Sequence, residues 1–469
     1  MAENQRIQAI DVTPRDDSVE ISLYQARERI HPKQIHGRFE QLRNMTVWST
    51  MGLYLLMPWL QWDGRQAILF DLPARQFHIF GFTFWPQDFV FLSWLLILAA
   101  FSLFFFTVLA GRVYCGYVCP QTTWTRFFTW IEYLLEGDRS ARIKLDAAPW
   151  SLNKLLRRGS KHFLWLALAF LTGLTFVGYF ESIADLTFRV FSLDLGFWEF
   201  FWIAFFTGAT YTNAGWMREQ VCKYMCPYAR FQSVMFDKDT LIVSYDERRG
   251  EPRTRGAKSR DDSQSGDCID CGLCVQVCPT GIDIRDGLQY ECITCAACID
   301  ACDLVMDKIN KPHGLIRYTT EHALQGEKTR LMRPRMIGYG LVLALMGVVF
   351  MIALANRIPA DIDVIRDRGK LYRVASNGHI ENSYRLQLRN MSQRDQVYRL
   401  GFRGPEALHW SGPEQVSLAA GETLTVGVTL GFDPLAAEVS SQPVWFTLTS
   451  LNNDAVHKEH ESRFITPVR

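Results

Sequence analysis

The sequence predicts a multi-domain membrane protein: a five-helix transmembrane bundle, a small cysteine-rich domain on one side of it, and a C-terminal β-sandwich on the other. Three observations carry this expectation. Five apolar runs approach or reach the roughly 20 residues that a helix needs to cross hydrocarbon: Met45–Trp62, Phe89–Ala110, Phe163–Phe180, Leu195–Trp216 and Met336–Ala355. All twelve cysteines lie between Cys115 and Cys302. From Asp363 onward, short alternating runs are separated by Gly, Pro, Asn and Ser, the pattern of a small antiparallel sandwich. The formal net charge of +1 points to no nucleic-acid partner.

Residues 1–44 are polar, with Arg27, Arg29, Lys33, Arg38 and Arg43 toward their end, and read as a soluble arm without a cleaved leader. Residues 45–216 hold the first four spans. Phe89–Ala110 and Met336–Ala355 (the fifth span, residues 336–355) are unambiguous. Met45–Trp62 and Phe163–Phe180 are short but free of charge. Leu195–Trp216 is the weakest, with Glu199 near its start and Thr207, Thr210, Thr212 and Asn213 behind it; polar groups of that kind are satisfied within a helix bundle. Residues 68–84, broken by Asp71, Pro73 and Arg75, are expected to lie along the membrane surface. Nine Lys and Arg residues between Arg112 and Lys161 sit between the second and third spans, against two or fewer in the neighbouring loops, which places the N-terminus inside and the C-terminus outside. Every cysteine then falls on the inner side, where thiols stay reduced.

Residues 217–335 form the large inner segment, with a short strand expected over Asp239–Asp246, a polar linker over Arg248–Gly266, and a basic return to the membrane from Lys328 to Arg335. The cysteine domain occupies about 260–310 of it. There the chain reads Cys268-x2-Cys271-x2-Cys274-x3-Cys278-Pro279 and then Cys292-x2-Cys295-x2-Cys298-x3-Cys302. This is the spacing with which bacterial-type 2[4Fe–4S] ferredoxins hold two cubanes, the fourth thiolate of each run serving the other cluster. Cys268, Cys271, Cys274 and Cys302 are therefore expected to hold one cluster, and Cys278, Cys292, Cys295 and Cys298 the other. Zinc sites and a disulfide knot are the bland alternatives, but zinc sites rarely carry a 2-2-3 run, let alone twice.

Four cysteines remain, in an internal repeat. Phe89–Ala110 is followed by Arg112-x2-Cys115-x3-Cys119-Pro120, and Leu195–Trp216 by Cys222-x3-Cys226-Pro227. Cysteines at i and i+4 share one helix face, and the following proline is expected to kink or end that helix. Four inert packing thiols are the bland reading. Duplication at equivalent topological positions argues instead for a soft site at the inner membrane surface, suited to Cu(I), Zn or a third Fe–S cluster. No Cys-x2-Cys-His marks covalent haem, and no Gly-x-Gly-x-x-Gly opens a helix for a dinucleotide. His31, His36 and His162 are given ordinary surface or interfacial roles, and His457 and His460 a place on a solvated strand or turn.

The text Cys115-Gly-Tyr-Val-Cys-Pro-Gln-Thr-Thr-Trp, the text Cys222-Lys-Tyr-Met-Cys-Pro-Tyr-Ala-Arg-Phe, the paired cluster motif and the block Leu241-Ile-Val-Ser-Tyr-Asp-Glu-Arg-Arg-Gly-Glu-Pro-Arg together resemble the FixG/CcoG family. These are membrane polyferredoxins that act in assembly of cbb3-type cytochrome c oxidase. The resemblance implies an Ig-like outer domain over 363–469, a bacterial inner-membrane location with the ferredoxin domain cytoplasmic and the sandwich periplasmic, and an oxidoreductase that reduces Cu(II) to Cu(I). Partners would be the oxidase assembly machinery and copper carriers, with a homodimer left open. Cys115, Cys119, Cys222 and Cys226 would then bind the copper or bridge to it. A subunit of a quinol-linked respiratory chain and a redox-sensing assembly scaffold are the competing readings.

Overall fold

The computed structural model describes residues 29–254, 265–367, 369, 371–376, 378–432, 441–452 and 456–466. Most of the N-terminal arm and the middle of the 248–266 linker thus lie outside the described residues. The first helix, α1 (Arg38–Leu56), starts and ends earlier than the apolar run Met45–Trp62. Pro58 explains the early end: without an N–H it cannot continue the ladder, and a single 3-10 turn, Met57–Trp59, takes over. The early start depends on another part of the chain. Gly37 precedes α1 and has no side chain to cap it, so Asp300 of the cysteine domain accepts from the N–H groups of Phe39 (3.2 Å) and Glu40 (2.7 Å).

Four more pieces carry the remaining apolar runs. Helix α2 (Phe89–Ala110) coincides with its run. After it come α3 (Val113–Tyr117), α4 (Pro120–Glu136) and α5 (Arg139–Ala147), then α6 (Leu152–Val177), which extends its run at the N-terminal end through Lys154, Arg157 and Arg158. Helix α7 (Ile183–Ser192) meets α8 (Phe197–Thr210), prolonged by the wide turn Tyr211–Met217, at a 94° bend. The last apolar helix is Pro334–Ala355. By length and composition, among the described residues, three helices suffice to cross a membrane: Pro86–Ala110, Leu152–Val177 and Pro334–Ala355. The bent α7–α8 pair makes a fourth only if counted as one span. The expected set of five thus differs at α1, whose charged first turns leave too short an apolar stretch, and at Leu195–Trp216, whose polar end winds into the wide turn. Helix α6 packs on α8 and on α4, and α2 on Pro334–Ala355. Gly173 permits the first contact, since a Cβ there would lie 2.7 Å from the Ile203 carbonyl oxygen.

Residues 68–84 form a three-stranded meander, not a spanning helix: Ile68–Asp71, Gln76–Ile79 and Phe82–Phe84 pair antiparallel in order. The polar residues that break the apolar pattern make its turns, as where Asp71 accepts from the Ala74 N–H at 2.8 Å. The meander seats the C-terminal sandwich through Gln76 to the Gly421 carbonyl (3.1 Å) and Gln393 to Thr83 (2.6 Å).

That sandwich has two antiparallel sheets. One runs Leu408–Ser411, Thr423–Phe432, Ile380–Asn390, Ala360–Arg366, with Arg373–Val374 also on Ile380–Asn390; the other runs Gln415–Leu418, Gln396–Arg403, Ser441–Ser450, His457–Ile465. The alternating runs Tyr384–Leu388, Gln415–Leu418, Thr423–Thr429 and Val444–Thr449 each lie within one of these strands. Inward residues of both sheets, among them Tyr384, Leu386, Leu388, Phe446, Leu448 and Phe464, are buried together. His457 and His460 lie on the last strand.

The cysteine domain is closed by Ile242–Tyr245 pairing antiparallel with Ile316–Thr319, with helices Leu273–Gln276 and Ala297–Lys308 between them. It packs directly on the N-terminal end of α1 and the C-terminal end of α2. Besides the Asp300 cap, the Leu241 N–H reaches the Leu109 carbonyl (3.0 Å), the Lys33 N–H reaches the Gln276 carbonyl (2.8 Å), and the Tyr117 and Tyr318 hydroxyls meet at 3.3 Å.

Candidate metal centres

Both cysteine loops fold by one local rule. In Cys268–Cys274, Asp270 and Gly272 adopt left-handed backbone (φ 48° and 63°); in Cys292–Cys298, Thr294 and Ala296 do so (55° and 60°). The residues on either side of each middle cysteine are thus inverted. Such alternation turns successive N–H groups toward a concavity suited to an anionic group. Only one of the four is glycine, so each of the other three costs about 1 kcal/mol or more of backbone strain, held by the surrounding fold.

One cavity is lined by Cys268, Cys271, Cys274 and Cys302, with Tyr245 and Arg285. A second is lined by Cys278, Cys292, Cys295 and Cys298, with Cys274 between the two. The last cysteine of each run therefore faces the other loop's cavity. Among the described residues no three His, Cys, Asp or Glu side chains converge tightly enough for a single ion. Thiols set apart around a cavity and backed by inward N–H groups fit a cubane, whose four corners need separate ligands. Burial pushes the Cys274 thiol up to about 11, and those of Cys292 and Cys302 to about 12. As free thiols they keep their protons at neutral pH, and coordination is what would remove them.

The charges around the two cavities differ. Near the first, Asp270, Asp283 and Asp303 accompany Arg285, and Arg253 acts on Asp283 and on Tyr245. Near the second, Arg43 and Arg126 interact with Cys295, and Arg112 with Cys292. The carboxylates there are Glu40, paired with both Arg43 and Arg126, and Asp300.

The four repeat cysteines are near enough to sense one another's charge, although no three of them converge tightly enough to hold a single ion in this arrangement. Cys115 lies in α3, and Cys119 is the N-cap of α4, with Pro120 as its first residue. Cys222 lies in the wide turn Val221–Met225, and Cys226 caps α9 (Pro227–Val234). The prolines begin helices rather than end them, and each i, i+4 pair straddles a break. A fixed φ and a missing N–H suit the first helical position, where that donor has no partner anyway. Cys115 senses the charge of Cys119 and Cys226, and Cys222 that of all three others. Arg112, 2% exposed, interacts with Cys115, Cys119 and Cys222 and donates to the Tyr290 carbonyl. The Cys115 thiol donates to Gln232 at 3.1 Å, and Cys119 receives the N–H groups of Gln121 and Thr122 at the start of α4. Burial pushes the Cys115 thiol up to about 11 and the Cys222 thiol to about 12.

This tetrad abuts the second cavity. Cys115 and Cys295 share one buried apolar cluster with Ile35, Val277 and Ile293. Gly116 allows the approach, because a Cβ there would lie 2.6 Å from the Ile293 carbonyl oxygen and 3.0 Å from Cys295 Cα. Sequence reasoning missed Gly116, Gln232 and Asp300 outright and counted Arg112 only as a loop charge. The one available signal was spacing: Arg112 stands three residues before Cys115, as Glu219 does before Cys222.

Apolar helices long enough to span, paired cysteine loops and a sandwich define a membrane protein built for iron–sulfur electron transfer. A 4Fe-4S dicluster domain model matches residues 217–321, a 4Fe-4S binding domain model residues 90–140, and the model of the IG-like fold at the C-terminal of FixG residues 350–467. The chain belongs to the FixG family. The nitrogen fixation protein FixG of Rhizobium meliloti is 39% identical over 445 residues, 87% of this chain and 85% of that protein. The RdxA and RdxB proteins of Cereibacter sphaeroides are 41% and 42% identical, covering 92% and 87% of this chain and 93% and 90% of their own.

Proposed function

We propose that this protein reduces Cu(II) to Cu(I) for assembly of a cbb3-type cytochrome c oxidase, delivering copper to carriers in the reduced form they accept. Cys268, Cys271, Cys274 and Cys302 hold one [4Fe–4S] cluster, and Cys278, Cys292, Cys295 and Cys298 the other; the clusters supply one-electron storage. Cys115, Cys119, Cys222 and Cys226 hold the copper. Thiolates favour Cu(I) over Cu(II), so each electron passed to copper there yields the form the site retains. In the topology that goes with this reading, α1 and the bent α7–α8 pair join the three long apolar helices in crossing a bacterial inner membrane. The turn Met57–Trp59 lengthens the short apolar stretch of α1, and the ferredoxin domain is then cytoplasmic and the sandwich periplasmic.

The observation that carries this reading is the contact of the tetrad with the second cysteine cavity across Gly116. Arg112 bridges the two, and its fixed charge stabilises thiolates on both sides. The test is single-turnover copper reduction by dithionite-reduced protein, read as a Cu(I)–chelator absorbance. Changing Cys115 and Cys119 together to Ser, or Cys222 and Cys226, is expected to abolish Cu(I) retention and slow reduction while both cubane signals persist. Unaltered reduction with all four changed would remove the tetrad from the mechanism. The match of residues 90–140 to a 4Fe-4S binding domain favours a second reading, a third cluster at the tetrad, which iron analysis separates from the first.

A further inference from the structure

A cavity of about 320 Å³ lies between α1, α4 and the ferredoxin domain, bordered by the second cluster loop and by Cys222 of the tetrad. Its lining includes apolar Val47, Trp48, Phe127 and Trp130, the two indoles 57% and 48% exposed. Polar Asn44, Gln121 and Thr125 line it too, with the charged Lys33, Glu40, Arg43, Arg126, Arg142, Arg218 and Glu219. A space of roughly 300 Å³ or more, largely apolar with a few convergent polar groups, is the form of a small-molecule site, and exposed Trp residues belong at a membrane–water boundary.

Its position gives it a role. Thr280, Ile293 and Ala297 wall this cavity on one side and the second cysteine cavity on the other. Cys222 of the tetrad lines it as well. A molecule held here is one side chain from the second cluster loop.

We propose that this cavity is where electrons enter the protein, and that its ligand is a lipid-soluble quinol. The exposed indoles of Trp48 and Trp130 beside it suit a membrane–water boundary, and Asn44, Gln121 and Thr125 offer donors and acceptors to ring oxygens. The adjoining clusters accept single electrons, which a quinol gives up one at a time, whereas a nicotinamide gives a hydride. The guanidinium groups of Arg43, Arg112 and Arg126 beside the second cavity stabilise the more negative, reduced form of a cluster held there, and so raise its potential toward that of a quinol. Oxidation of one quinol breaks its two O–H bonds and releases two electrons and two protons, leaving the quinone. The two clusters, held by the eight cysteines assigned to them, would accept one electron each, and the two protons pass to solvent water. The inference rests on the proposed cluster loading and is independent of what the tetrad binds.

The experiment uses full-length protein in detergent. Menadione binding is followed by quenching of tryptophan fluorescence, in cluster-loaded and cluster-free samples, and anaerobic reduction by menadiol is followed by EPR. Saturable quenching and menadiol-reduced clusters are expected of the unmodified protein. Thr125→Phe and Asn44→Phe, which fill the cavity from two sides, are each expected to weaken both by about tenfold or more (about 1.4 kcal/mol), with iron content and the dithionite-reduced signal unchanged. Absent saturable quenching, or menadiol reduction that persists in both filled variants, overturns the proposal. So does a co-purified phospholipid that Thr125→Phe expels while menadiol still reduces the clusters. Dithionite bypasses the cavity: protein that dithionite cannot reduce refutes the iron–sulfur loading itself, whereas protein reduced by dithionite but not by menadiol refutes only the quinol site.

Discussion

Gly116→Ala sets two effects of opposite sign against each other. Within helix α3, alanine is favoured over glycine by about 0.8–1 kcal/mol. The new Cβ, however, would meet the Ile293 carbonyl oxygen at 2.6 Å, Cys295 Cα at 3.0 Å and Cys295 N at 3.1 Å. All three are backbone atoms, so no side chain can swing aside. Restoring an ordinary C···O separation of about 3.3 Å requires the loop and α3 to part by roughly 0.7 Å, and overpacking of that kind costs about 1–3 kcal/mol. The clash therefore outweighs propensity, leaving a net loss of about 1 kcal/mol in the docking of the Cys292–Cys298 loop. Hydrogen exchange read by mass spectrometry should show amides of that loop exchanging about fivefold faster, with electron delivery to copper slowed in the same variant. Exchange that is unchanged or slower would mean that helix propensity decides, and the close approach of tetrad and cluster loop would be refuted.

Anaerobic protein should carry about eight iron and eight sulfide atoms per chain; near twelve would place a third cluster on the tetrad. Cys278→Ser should damage the EPR signal of the cluster held by Cys292, Cys295 and Cys298, and loss of the other signal would overturn the exchange of ligands between loops. Arg112→Gln should lower the potential of that same cluster, on the order of 50 mV for a nearby charge at a protein-like dielectric, while the first cluster stays put; equal shifts in a redox titration would refute the asymmetry. Cu(I) retention by the tetrad should strengthen as pH rises from 6 to 8. Cys115 and Cys222 are protonated throughout that range, with pKa values pushed by burial to about 11 and about 12. Each thiol that binds as thiolate must then release a proton, which is about tenfold per pH unit per thiol; a flat pH profile in competition with a chelator would count against thiolate ligation.

The sequence carried the parts whose signal is local. Cysteine spacing is a direct imprint of cluster geometry, and strand alternation marks which residues face the sandwich core, so Tyr384–Leu388 and Val444–Thr449 fell within real strands. Helix α2, apolar throughout and ended by Gly111, matched its run residue for residue. What escaped depends on partners distant in the chain. Helix α1 could not be placed from its own residues, since the side chain that caps it, Asp300, comes from far along the chain. The proline after each second cysteine is compatible locally with ending a helix or starting one, and only the residues that follow, packed as α4 and α9, decide. Residues 68–84 read as a membrane-surface segment because their Phe and Leu content conveys apolarity without direction. The turns at Asp71 and Phe80 supply the direction, and Phe80 takes a left-handed backbone at φ 51° that composition cannot announce.

The layout ties these parts into a direction for electrons. The second cavity alone is shared on both sides, through Thr280, Ile293 and Ala297 with the large cavity and through the Gly116 contact with the tetrad. The first cavity borders neither, and reaches the second through Cys274. At the first, three carboxylates (Asp270, Asp283, Asp303) face two arginines (Arg285, Arg253), whereas at the second three arginines (Arg43, Arg112, Arg126) face two carboxylates (Glu40, Asp300). On the proposed loading, added positive charge would favour the reduced form of a cluster held at the second site, beside the tetrad, so Cys278, Cys292, Cys295 and Cys298 would hold the higher-potential cluster of the two. Cys268, Cys271, Cys274 and Cys302 would hold the lower-potential one, with Cys274 in the wall between the cavities. On that reading the proposed donor cavity and the tetrad meet at one four-cysteine loop, and the buried Arg112 and Gly116 set its charge and its distance.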